Sequence, residues 1–120
     1  MTNQKPYKRT DRVGLQILKI LGEITTKHVN ISHLGFITFT KVKVSPDLQH
    51  AKVFYSVLNK KLSQEGVNSK LNALAKAFRK YLGQEIRTKY TPDLMFIEDD
   101  SLKHEEQLMK IFHDLHKDDS

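Results

Sequence analysis

FITFTKVKVSPDLQHAKVFYSVL, residues 36–58, decides how this chain folds. Phe36 to Val44 is rich in β-branched and aromatic side chains, which fit a pleated, half-buried surface and predict a first strand. Within it the apolar parity moves from Ile37 and Phe39 to Val42 and Val44. Strict alternation cannot put all four on one face, so a bulge or twist is expected near Lys41. Ser45-Pro46-Asp47-Leu48 supplies turn chemistry. Ala51, Val53, Tyr55 and Val57 then alternate with Lys52, Phe54 and Ser56, the pattern of a second, antiparallel strand that completes a hairpin.

A hairpin with one apolar face needs a covering layer, and the flanking sequence provides helices. Upstream, residues 1–9 are polar and basic and read as a flexible arm. Val13, Ile17, Ile20, Leu21 and Ile24 then recur at helical spacing to about Lys27, with Thr10 or Asp11 as the expected cap. Downstream of the loop Asn59–Ser63, in which Ser63 is a plausible N-cap, Val67, Leu71, Leu74, Phe78 and Leu82 continue at helical steps to Gly83, the expected C-cap. Pro92 precedes a third short strand, Leu94–Ile97, and Asp100-Ser101 caps a last helix carrying Leu102, Leu108, Ile111, Phe112 and Leu115. About thirty residues separate strands two and three, enough for a helical crossover onto a parallel neighbour. The expected architecture is α+β: a single domain over residues 10–100, a three-stranded sheet with helices on one face, and a C-terminal helix and acidic tail over residues 101–120.

Composition narrows the function. The chain has 120 residues, enough for one core, and no Cys, which removes disulfides, thiolate metal sites and thiol nucleophiles together. The N-terminal residues lack the apolar run of a signal peptide, and Leu94–Ile97, the longest purely apolar run, is too short to cross a bilayer. Charge is segregated: residues 1–91 hold 17 Lys/Arg against 5 Asp/Glu, whereas residues 92–120 hold 3 against 9. The basic body suits a polyanion, because its local field concentrates nucleic acid around it.

Three stretches in order resemble one family. Arg9-x-x-Arg12-Val13 opens the first helix; Thr38 to Ser45 followed by Pro46-Asp47-Leu48-x-x-Ala51-x-Val53 spans the hairpin; Pro92-x-Leu94-x-Phe96-x-x-Asp99-x-Ser101-Leu102 closes the core. Their order and spacing resemble the ribosome-binding factor A family over residues 8 to about 115. The resemblance implies a type II KH-like fold, α-β-β-α-α-β plus a C-terminal helix, in a monomeric cytoplasmic protein. It further implies that the protein binds the small ribosomal subunit through its rRNA and assists late maturation, rRNA processing included. No enzyme activity, cofactor, membrane or small-molecule substrate is implied. KH domains grip RNA with a Gly-x-x-Gly loop, and this family carries an Ala-x-Gly kink there. Here the corresponding residues are Leu74-Ala75-Lys76, with Lys76 where Gly stands. Either the correspondence slips by a residue or two, or the kink forms without Gly, or the two helices merge.

The candidate RNA contacts are Lys76, Arg79, Lys80, Arg87 and Lys89 on and after the long helical region, Lys60 and Lys61 in the exposed loop, and Arg9 and Arg12 at the start of the first helix. Phosphate binding needs only exposed Lys/Arg, and few carboxylates are interspersed here, although a charged face also serves plain solvation. Lys41, Lys43 and Lys52 read as outward strand positions that protect sheet edges. The aromatics Phe36, Phe39, Phe54, Tyr55, Phe78 and Phe96 follow core patterns, leaving only Tyr7 and Tyr90 for base stacking. His113-x-x-His116 lacks further ligands, and Glu98-Asp99-Asp100 and Glu105-Glu106 accompany no nucleophile or phosphate loop, so neither a metal site nor a catalytic one is read. Two rivals remain: a non-catalytic interaction module whose basic face meets an acidic partner, and, more remotely, a metal-dependent nuclease using the acidic tail.

Overall fold

The computed structural model describes residues 8–99. Helix α1 spans Arg9–Lys27, strands β1 and β2 span Phe36–Val44 and His50–Leu58, helices α2 and α3 span Gln64–Ala73 and Ala75–Glu85, and β3 spans Asp93–Glu98. A short 3-10 turn, Ser32–Leu34, leads into β1. The sheet order is β1-β2-β3, with β1 antiparallel and β3 parallel to β2. Helices α2 and α3 form the crossover that a parallel pair requires. The expected C-terminal helix and tail, 101–120, lie outside the described residues, as do the first seven residues of the arm.

The hairpin register explains the parity shift. Phe39 pairs with Tyr55 and Lys41 with Phe54, so Thr40 is the extra residue of a bulge. That one insertion returns Val42 and Val44 to the face of Ile37 and Phe39, all four packing against the core. Ala51, Val53, Tyr55 and Val57 of β2 and Leu94 and Phe96 of β3 are buried on the same face. They meet Ile17, Leu21 and Ile24 of α1, Val67 and Leu71 of α2, and Phe78 and Leu82 of α3. Phe39, Phe78 and Phe96 form an aromatic triad at its centre, with centroids 5.3 to 6.0 Å apart. Gly14 lets α1 lie close on β1, since a Cβ there would stand 2.6 Å from the Val42 carbonyl oxygen.

Four local expectations are corrected. The cap of α1 is Lys8, with Thr10 and Asp11 inside the first turn, where the Asp11 carboxylate accepts the Lys8 backbone N–H at 3.3 Å. Arg9, assigned to the arm, is therefore the first helical residue. Gly83 does not end α3, which runs on to Glu85 with Ile86 as C-cap; it is small because Thr91 packs against it, and a Cβ would stand 3.0 Å from Thr91 Oγ1. Phe36 and Phe54 do not join the core: parity turns both to the sheet face away from α1, α2 and α3, where Phe36 is 66% exposed and Phe54 half-buried.

Candidate nucleic-acid interface

The helical region breaks at Leu74, which is both the C-cap of α2 and the N-cap of α3. Its φ of −90° and ψ of 1° are open to any L-residue, so this kink needs no glycine. The Leu74 N–H donates to the Leu71 carbonyl, and the Leu74 carbonyl accepts from Phe78, each at 3.0 Å, which keeps the backbone satisfied through the bend. Of the alternatives left open, the structure takes the kink without Gly, with Lys76 on the first turn of α3.

From that turn the basic side chains project together. Lys76, Arg79, Lys80 and Lys89 line one open concavity of about 630 Å³ with Gly83, Tyr90 and Thr91, and no carboxylate is among its lining residues. Lys76 and Lys80 stand one helical turn apart. The guanidinium of Arg79 is aimed by the Thr91 carbonyl oxygen, to which its Nε and Nη2 donate at 3.2 and 2.9 Å. This contact ties the returning segment 86–92 to α3 and so brings Lys89 to the same wall. Tyr90, 53% exposed, adds an aromatic face beneath the Lys89 ammonium, 5.3 Å from its ring centre.

The other candidates lie elsewhere. Arg87 is exposed but does not line the concavity. Arg9 and Arg12 are exposed on the first turns of α1, the stretch that packs beside Thr40–Val44 of β1. Lys61 is exposed, its backbone N–H held by the Leu34 carbonyl at 3.1 Å. Lys60 is corrected: its ammonium is half-buried and paired with Glu98 at 3.2 Å, so its charge is neutralised within the fold and is not presented from a loop tip.

A polar seam escaped the sequence reading. The outer edge of β3 is not left open, because Asn72 of α2 pairs with the Phe96 backbone as a neighbouring strand would. Phe96 N–H donates to Asn72 Oδ1 at 2.8 Å and Asn72 Nδ2 donates to the Phe96 carbonyl at 3.1 Å. Asn68 Nδ2 reaches the same carbonyl at 3.1 Å and the Tyr55 hydroxyl at 3.0 Å. Burial pushes the Tyr55 phenol above its ordinary pKa, and the Asn68 donor opposes that shift. Two Asn one turn apart beside the apolar stripe were the available signal. At the opposite end of the sheet, His50 Nδ1 meets the Asp93 carboxylate at 2.9 Å, joining the hairpin to the start of β3 and raising the His50 pKa.

Comparison with known proteins assigns the chain and its fold to a lineage. Residues 9–112 match the family of ribosome-binding factor A. The ribosome-binding factor A of Citrifermentans bemidjiense is 39% identical over 111 residues, covering 86% of this chain and 89% of that one. The chain belongs to the ribosome-binding factor A family. The crystal structure of ribosome-binding factor A from Thermus thermophilus superposes with a TM-score of 0.65 at 20% identity, covering 77% of this chain and 97% of that one. Coordinates of the Thermus thermophilus factor fitted into an electron cryomicroscopy map of its 30S complex superpose with a TM-score of 0.57 at 20% identity, covering 72% and 91%. The fold is therefore the type II KH-like fold of ribosome-binding factor A, with its interhelical kink built on Leu74.

Proposed function

We propose that this protein is a ribosome assembly factor that binds small-subunit rRNA through the α3 concavity and assists late maturation, rRNA processing included, as a non-catalytic cytoplasmic monomer. The observation that carries the reading is the convergence of Lys76, Arg79, Lys80 and Lys89 on one concave wall lined by no carboxylate. The Thermus relative fitted into a 30S complex supports the small subunit as the partner. Phosphates would sit along the wall, with Lys76 and Lys80 as movable point charges and Arg79 as the donor of fixed direction. Such contacts position the protein by backbone shape and do not read base edges, which suits recognition of folded rRNA.

The test is co-sedimentation with purified small subunits across a salt series. Arg79 supports the 86–92 segment, so the variant that isolates charge is Lys76/Lys80/Lys89→Ala. It is expected to stay folded, to bind at least tenfold more weakly at moderate salt, and to lose roughly 2 to 3 from the log–log salt slope, about one per phosphate contact removed. Wild-type binding with an unchanged slope would place the site elsewhere. Failure of excess rRNA to displace the protein from its cellular ligand would favour the acidic-protein partner instead.

A further inference from the structure

Among the described residues one face of the sheet carries no helix, and it is neither polar nor neutral. Phe36, Leu58 and Met95 stand on it 66%, 44% and 55% exposed. At its hairpin end Lys41 and Lys43 lean over the Phe54 ring, at 5.0 and 6.0 Å, and Lys43 lies directly across the ladder from Lys52. Like charges placed opposite each other on a sheet repel, and among the described residues no ion pair reaches any of these three lysines. An apolar field flanked by unneutralised cations fits an occupant that is apolar on one side and acidic on the other.

We propose that residues 100–120 of this same chain cover the open sheet face. Three observations select that occupant. The last described residue before the segment presents its side chain on this face: the Asp99 carboxylate accepts from Thr40 Oγ1 at 3.1 Å, reaching over β2 to the bulge of β1. The remaining residues carry Leu108, Ile111, Phe112 and Leu115 at helical spacing, together with Glu105, Glu106, Asp114, Asp118 and Asp119 to meet the lysines. Length also fits, since about 20 residues of helix span roughly 30 Å, the length of a nine-residue strand. The arrangement parks the acidic end of the chain on the side of the sheet opposite α3, leaving the basic concavity open. It does not depend on what that concavity binds.

The absence of native Cys makes the test direct. A nitroxide spin label at Met95→Cys in the full chain is expected to cut the amide signals of residues 102–116 by more than half, and a label at Phe36→Cys to do the same for part of them. A label on exposed Lys70→Cys of α2 should leave them unchanged. Tail amides unaffected by either sheet-face label would overturn the proposal. Loss that appears only when a labelled chain is mixed with an isotopically enriched unlabelled one would overturn it in favour of a second copy. Signals of the open face that shift with a single-stranded oligonucleotide, while the tail stays remote from the label, would overturn it in favour of RNA.

Discussion

Asn72 shows how much one side chain decides in this fold. Its amide substitutes for a fourth strand, satisfying both the N–H and the carbonyl of Phe96 at a sheet edge buried under α2. Asn72→Ala would strand that N–H, whereas the carbonyl would keep Asn68. A loss of about 1–3 kcal/mol in urea unfolding is therefore expected, the cost of a buried donor without a partner. Asn68→Ala leaves the Phe96 carbonyl on Asn72 but removes the donor to the buried Tyr55 hydroxyl, so a loss of similar size, about 1–3 kcal/mol, is expected; unchanged stability would contradict this. The two Asn were visible in the sequence as polar residues one turn apart, but their target lies more than twenty residues away and is backbone. Lys60 was misread for a similar reason: its partner Glu98 is brought to it only when β3 docks on β2.

At the level of elements, capping and kinking follow local rules with unequal clarity. Ser63 caps α2 as its position before the apolar stripe suggested, its Oγ accepting the Gly66 N–H at 3.0 Å. Ser63→Ala is expected to cost about 1 kcal/mol in thermal or urea unfolding, with binding to small subunits unchanged, since the cap is remote from the α3 wall. The break at Leu74 had no such signature. It uses a negative φ, so no glycine marks it, and the apolar stripe runs through Leu71, Leu74 and Phe78 as though one helix continued. The bulge at Thr40 was legible because parity is strict: one inserted residue is the least change that keeps Ile37, Phe39, Val42 and Val44 on a common face.

For the molecule as a whole, the segregation of charge is the feature on which the proposed function rests. Residues 1–91 carry 17 Lys/Arg against 5 Asp/Glu, and the fold gathers four of these cations on one wall with a single carboxylate-free lining. If that wall docks on rRNA, cells lacking the protein should accumulate free subunits holding small-subunit rRNA with unprocessed ends. The defect should deepen in the cold, where misfolded RNA leaves its traps slowly. The Lys76/Lys80/Lys89→Ala variant should fail to rescue. Gradient profiles and rRNA end mapping at low temperature check this, and normal profiles would reject the assembly role.

Composition, periodicity and turn chemistry by themselves determined the α+β class, the hairpin with its bulge, the order of elements and the basic character of the body, because each depends on neighbours within a few residues. Tertiary structure alone decided which cations converge and which are spent. Arg79 and Lys89 meet because segment 86–92 returns along α3, Lys60 is consumed by Glu98, and Phe36 and Phe54 face away from the core because α1, α2 and α3 pack on the other side of the sheet. Those outcomes rest on contacts between residues distant in sequence, and no local pattern encodes a distance that only packing sets.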